Sequence, residues 1–87
     1  MTTSAAKDEL IYQKVTAHLA GKYNVKLEGG VDENTDLFIE GLLDSIGFVE
    51  LVSFLEKTFG IQLNESELSF ENVNTVAHIV ETVKKRS

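Results

Sequence analysis

Cysteine is missing from this 87-residue chain, and with it go disulfides, zinc-thiolate centres and any thiol nucleophile of the chain's own. No apolar run approaches the roughly 20 residues that a membrane span needs. The opening Met1-Thr2-Thr3-Ser4-Ala5-Ala6-Lys7-Asp8 lacks the apolar core of a secretory signal. No internal repeat, metal-ligand cluster or glycine-rich nucleotide loop occurs. Positive charge is scarce: 8 basic residues against 14 acidic ones leave a formal net charge of −6. That balance repels phosphate backbones and anionic membranes, so nucleic acid is excluded and partners with basic surfaces are favoured. The one basic cluster, Lys84-Lys85-Arg86, suits the last turn of a helix, where cations complement the dipole. A cytoplasmic monomer is the expectation.

Hydrophobic residues make up 43% of the chain, enough for a core, and the length fits one domain over residues 1–87. Ile11, Val15 and Leu19 recur every fourth residue, with Tyr12 and Tyr23 beside them. That spacing predicts a helix over about residues 4–23. Lys22-Tyr23-Asn24 begins its exit and Gly29-Gly30 marks a break. His18 falls at the edge of the stripe, as a boundary residue.

No period is sustained over about residues 24–43, a long connection for so small a chain. Its apolar residues Val31, Leu37, Phe38, Ile39, Leu42 and Leu43 suggest a loop pinned onto the core. Helix, long loop, helix, with few strand signals, points to an all-α bundle with one long crossover. The acidic part, Asp32-Glu33-Asn34-Thr35-Asp36, invites a calcium reading. Counted from Asp32, however, Leu37 stands where an EF-hand loop needs glycine and Leu43 where it needs the closing glutamate. A solvated acidic turn is the better reading.

Asp44 is a favoured helix cap, and Gly60 a favoured stop, which predicts a second helix over about residues 45–59. Phe48, Leu51, Val52, Leu55 and Phe59 share its core face. Ile46, Val49, Glu50, Ser53 and Lys57 share the opposite face, with Glu56 at its edge. Ile46 and Val49 are therefore apolar residues on the expected solvent side, next to the hydroxyl of Ser45. Single exposed apolar residues are normal; beside an exposed serine they also suit a contact patch with Glu50 and Glu56 as its charged rim. Gly47, in the first turn, costs about 1 kcal/mol relative to alanine. It either permits close approach by a partner or is simply tolerated.

After Gly60, a short helix is expected over about residues 65–72 and a last one over about 75–85. Asn74 or Thr75 caps the latter, with Val76, Ile79, Val80 and Val83 buried and His78 on the other side. His18 and His78 lie on different helices with no supporting acid, so a hydrolytic triad is not indicated.

Asp36-Leu37, Gly41-Leu42-Leu43-Asp44-Ser45-Ile46, Val49-Glu50-Leu51-Val52, Leu55-Glu56 and Phe59-Gly60-Ile61 together resemble the acyl carrier proteins. Glu65-Ser66-Glu67-Leu68 and Asn74-Thr75-Val76 extend the resemblance over nearly the whole chain. The resemblance implies a four-helix bundle with a short third helix. It implies a carrier without its own catalytic site, bearing 4′-phosphopantetheine on Ser45, transferred from coenzyme A by a phosphopantetheinyl transferase. Asp44 would cap the helix and help place the magnesium used in transfer. The arm would hold acyl groups as thioesters and present them to acyl-loading, ketosynthase, acyltransferase or adenylating enzymes. Ile46, Val49, Glu50, Ser53, Glu56 and Lys57 match the positions where such carriers meet partners.

The departures are Gly47, where carriers of primary fatty-acid synthesis commonly have an acid, Lys57 at a usually acidic position, and Ser53 at a usually long apolar one. The Gly-Leu-Leu-Asp-Ser string also occurs in carriers of aminoacyl groups, including D-alanine. The expectation is a specialised free-standing carrier in fatty-acid-like, lipid or specialised-metabolite synthesis. An aminoacyl carrier, D-alanyl or peptidyl-type, comes second, and an unmodified acidic helical adaptor third.

Overall fold

Four helices follow one another among the described residues, and no strand occurs there. They are α1 (Thr3–Tyr23), α2 (Ser45–Phe59), α3 (Phe70–Val73) and α4 (Val76–Arg86). The structure, a computed structural model, describes residues 3–64 and 69–86. The short helix expected from about residue 65 is therefore seen over Phe70–Val73, and its expected start lies outside the described residues.

The stripe of α1 packs as its spacing dictates: Ile11, Val15 and Leu19 are buried. The helix stops at Asn24, which takes a left-handed φ of 59°, a conformation asparagine tolerates better than most residues. Val25, itself buried, then donates its N–H to the Leu19 carbonyl at 3.0 Å.

The long loop is held by named hydrogen bonds rather than by regular structure. Asp36 Oδ1 accepts from the N–H groups of Phe38 and Ile39 at 3.0 and 2.9 Å, and its Oδ2 accepts from Asn74 Nδ2 at 2.8 Å. The Ile39 N–H is the main reason that the Asp36 carboxyl sits below the usual carboxylate range, with Asn74 and Phe38 adding to it. Leu37, fully buried, donates to the Asn74 carbonyl at 2.7 Å and accepts from both Leu42 and Leu43. This acid-capped turn sends Leu37 and Leu43 inward. Ile39, expected in the core, points the other way and is 81% exposed. Two residues on from Leu37 in a helix-like turn is about 200° round, hence the far side.

The same loop starts α4. Glu33 accepts the Ala77 N–H at 3.0 Å, while Thr75 Oγ1 accepts that of His78 at 3.0 Å, so Thr75 rather than Asn74 is the cap. Thr82 Oγ1 donates to the Asn72 carbonyl at 2.8 Å and ties α4 to α3. Val76, Ile79 and Val83 are buried and Val80 half-buried. Lys84 reaches back to Asp8 on α1 at 3.1 Å. The resulting core draws Leu51 and Leu55 from α2, Leu37 and Leu43 from the loop, and side chains from every other helix. Each such side chain contributes about 1.5–3 kcal/mol.

Candidate functional site

The N-terminus of α2 is fixed by its cap. Asp44 has an extended backbone (φ −115°, ψ −172°), and its Oδ1 accepts the Gly47 N–H at 2.8 Å. The first helical hydrogen bond to follow runs from the Phe48 N–H to the Asp44 carbonyl at 2.9 Å. With the Gly47 N–H taken by the cap, Ser45 and Ile46 occupy first-turn positions whose N–H groups have no partner in the helical ladder. Ser45 itself is exposed. An exposed hydroxyl on the first residue of a 15-residue helix is suited to bearing a phosphate, because unpaired N–H groups and the helix dipole both favour negative charge there. The residues present thus fit a phosphopantetheine group on Ser45. Asp44 keeps Oδ2 outside its cap bond, and no cluster of three potential metal ligands forms among the described residues.

Ile46 and Val49 are 70% and 64% exposed and share one strip of the helix surface, three residues apart. Glu50 is half-buried: Tyr23 donates its phenol hydrogen to Glu50 Oε1 at 2.7 Å, and Lys22 Nζ stands 4.0 Å from the same oxygen. Ser53 is half-buried and Lys57 exposed, further along the helix. Glu56 does not join them. Its Oε2 accepts the Leu63 N–H at 3.0 Å, so the side chain folds back onto the segment that follows α2. The structure thus brings Ser45, Asp44, Ile46, Val49 and Glu50 together at one end of α2 and turns Glu56 to a structural task.

Gly47 gains a reason. It is buried, and a Cβ there would stand 3.1 Å from Leu43 Cδ2 and 3.6 Å from Tyr23 Cε1. The close approach that glycine permits is by the chain's own Leu43 side chain, with the Tyr23 ring at ordinary contact distance beyond it. Burial first, then the hydrogen bond to Glu50, pushes the Tyr23 phenol up to about 12. The sequence places Tyr23 beside the α1 stripe but not against α2, and no local pattern signals that contact. Phe54 was also missed; it stacks on His18 with ring centroids 3.9 Å apart and makes His18 part of the α1–α2 seam.

The family described as phosphopantetheine attachment site matches residues 13–83. The D-alanyl carrier protein of Abiotrophia defectiva is 40% identical over 55 residues, covering 63% of this chain and 70% of that protein. That of Streptococcus uberis is 49% identical over 53 residues, covering 61% and 67%. That of Streptococcus pyogenes serotype M5 is 48% identical over 50 residues, covering 58% and 63%. These relatives give no support to the expectation of fatty-acid synthesis. No described helix is long and apolar enough to cross a membrane. With the family matched over well beyond half its length, the chain belongs to the phosphopantetheine-binding carrier proteins, which bear a covalently attached 4′-phosphopantetheine and have no catalytic site of their own.

Proposed function

We propose that this protein carries aminoacyl groups, D-alanine first among them, on a 4′-phosphopantetheine attached to Ser45. The observation that carries the attachment site is the exposed Ser45 hydroxyl on the first residue of α2, directly after a cap that leaves the Ser45 and Ile46 N–H groups outside the helical ladder. The cargo is supported by the relatives, named D-alanyl carrier proteins at 40–49% identity, and by the Gly41-Leu42-Leu43-Asp44-Ser45 string.

Ser45 Oγ bonds to the pantetheine-bearing phosphorus of coenzyme A and becomes an oxygen of a phosphodiester, while the pyrophosphate P–O bond breaks, adenosine 3′,5′-bisphosphate leaves and the hydroxyl proton passes to a base of the transferase. The arm supplies the thiol this cysteine-free chain lacks, on which a carboxyl group is held as a reactive thioester. The first-turn N–H groups of α2 favour the new negative charge. Asp44 Oδ1 keeps the helix start formed through Gly47, and Oδ2 is left to ligate a magnesium ion shared with coenzyme A and the transferase. Tethering raises the effective concentration of the cargo at each partner enzyme. Ile46 and Val49 give those enzymes an apolar contact, Glu50 a charged one, and Ser53 and Lys57 extend the face. The partners are a phosphopantetheinyl transferase and an enzyme that adenylates and loads the amino acid, with both reactions in the cytoplasm.

An aminoacyl group is small and needs no shelter inside the bundle. A long acyl chain would displace side chains such as Leu37, Leu51 and Leu55, all fully buried. The test is intact mass after incubation with coenzyme A and a broad-specificity phosphopantetheinyl transferase, followed by a D-alanine-adenylating enzyme with ATP. A phosphopantetheine gain on wild type, none on Ser45→Ala, and a further D-alanyl gain are expected. No gain on wild type, or an equal gain on Ser45→Ala, would sink the attachment site and leave the unmodified adaptor standing. Loading by an acyl-activating enzyme in place of the D-alanine enzyme would replace the cargo.

A further inference from the structure

Tyr23 is the last residue of α1, and its ring lies over the first turn of α2. Its phenol oxygen stands 2.7 Å from Glu50 Oε1 and 3.5 Å from the Gly47 carbonyl oxygen. The shorter contact is the strong one, a hydrogen bond to an ionised acceptor, and the longer is at the limit of hydrogen bonding. Lys22 approaches the same Oε1 only to 4.0 Å, with both side chains around half exposed, so it adds little restraint. Glu50 Oε2 has no partner among the described residues. A carboxylate that would otherwise rotate freely on the helix surface is therefore held by one oxygen, with the other available.

Glu50 lies five residues after Ser45, about one and a half turns along α2, on the same exposed side as Ile46 and Val49. A carrier with a formal net charge of −6 favours enzymes that present cations, and an oriented carboxylate gives such a cation a defined acceptor. We infer that Tyr23 is a positioning residue for recognition by the enzyme that modifies Ser45: its phenol holds the Glu50 carboxylate ready for a lysine or arginine of the transferase. The inference rests on the reading of Ser45 as the attachment site. Holding Glu50 saves the ordering of one flexible side chain when the complex forms, which corresponds to about a two- to tenfold gain in affinity.

The experiment measures KM and kcat for phosphopantetheinyl transfer on wild type, Tyr23→Phe, Glu50→Gln and the double variant. Phenylalanine keeps the ring over Gly47 and removes only the O–H. Tyr23→Phe is expected to raise KM about two- to tenfold with kcat unchanged. The double variant is expected to be no worse than Glu50→Gln alone, since Tyr23 acts through Glu50. Ultraviolet titration in a Tyr12→Phe background follows the Tyr23 phenol alone: raised to about 12 with Glu50 present, and lower in Glu50→Gln, where burial still holds it above the ordinary value near 10. An unchanged KM in Tyr23→Phe, independent penalties in the double variant, or an ordinary wild-type titration overturns the inference. Absence of any mass gain on wild type overturns the attachment site with it, whereas efficient modification with equal KM values overturns the role of Tyr23 alone.

Discussion

The two ends of α2 are built with the same kind of part and left in opposite states. At each end a carboxylate accepts a backbone N–H: Asp44 takes that of Gly47 at the start, and Glu56 takes that of Leu63 beyond the stop. At the far end the backbone is tied in. Gly60 adopts a left-handed φ of 65°, its N–H and that of Ile61 both go to the Glu56 carbonyl, and Arg86 holds the Gln62 carbonyl at 3.1 Å. At the near end the cap fixes the backbone, and among the described residues Ser45, Ile46 and Val49 stay exposed. One end is closed by the chain itself, and the other is rigid but open. A carrier needs that combination, since its cargo must be offered from a fixed point without the fold loosening around it.

The contrast predicts that the two carboxylates separate cleanly on substitution. Glu56→Ala leaves the Leu63 N–H without its charged acceptor and is expected to lower stability by about 1–3 kcal/mol. The rate of phosphopantetheinyl transfer should stay at the wild-type value, because Glu56 is committed to the closed end. Urea unfolding and transfer kinetics on the same sample check both halves. A slowed transfer would return Glu56 to the partner face that the helix period first assigned it to.

Asp44→Ala is expected to cost less, about 0.5–2 kcal/mol for a lost cap, and to slow transfer as well. Asp44→Asn keeps a capping oxygen and removes the charge, so it should restore most of the stability. If it also restores the transfer rate, the cap alone matters; a rate that stays low assigns the charge to magnesium. Smaller again in stability is the pair Ile46→Ala and Val49→Ala. Both residues face solvent, so unfolding should shift by less than about 0.5 kcal/mol, while the KM of the transferase rises. A double variant that unfolds markedly earlier would mean that this end is covered after all.

What could be read in the sequence is what depends on neighbours a few residues apart. The stripe of Ile11, Val15 and Leu19 and the limits of α2 follow from helix periodicity, the Asp44 cap and the Gly60 stop. Ser45 stood out for the same local reason, and the family match over residues 13–83 supports the carrier reading built on it. What could not be read depends on contacts that the fold makes later. Tyr23 meets residues 47 and 50 from more than twenty positions away, which no helix period reports. Glu56 and Lys57 are adjacent in sequence, yet one folds onto Leu63 and the other stays in solvent, because the turn after Gly60 carries Leu63 back past α2. Ile39 was counted inward because apolar residues usually are; the turn capped by Asp36 decides otherwise. Whether the cargo is D-alanine is a property of the loading enzyme as much as of this chain.

The smallest effect concerns the seam between the two ends. His18 stacks on Phe54 of α2 and meets Tyr23 edge-on with centroids 5.7 Å apart, and its Nε2 is buried with no partner among the described residues. Burial, then the charge of Lys22, lowers the imidazole pKa from 6.5, with Glu50 opposing them. The folded state thus binds this proton more weakly than the unfolded chain does, so stability rises with pH between the two values. The contribution is complete above 6.5 and is lost progressively as pH falls from there toward the lowered folded value. Asp36, with its depressed carboxyl, adds a loss of the same sign, but only below its ordinary 3.8. Comparing urea midpoints at about pH 7 and about pH 5 therefore separates the histidine from Asp36. The wild-type midpoint is expected to fall at the lower pH. His18→Phe, which keeps an aromatic ring on Phe54 and cannot titrate, is expected to fall less. An equal fall in both would mean that the His18 ring is solvated in the folded protein and titrates no differently from the unfolded chain.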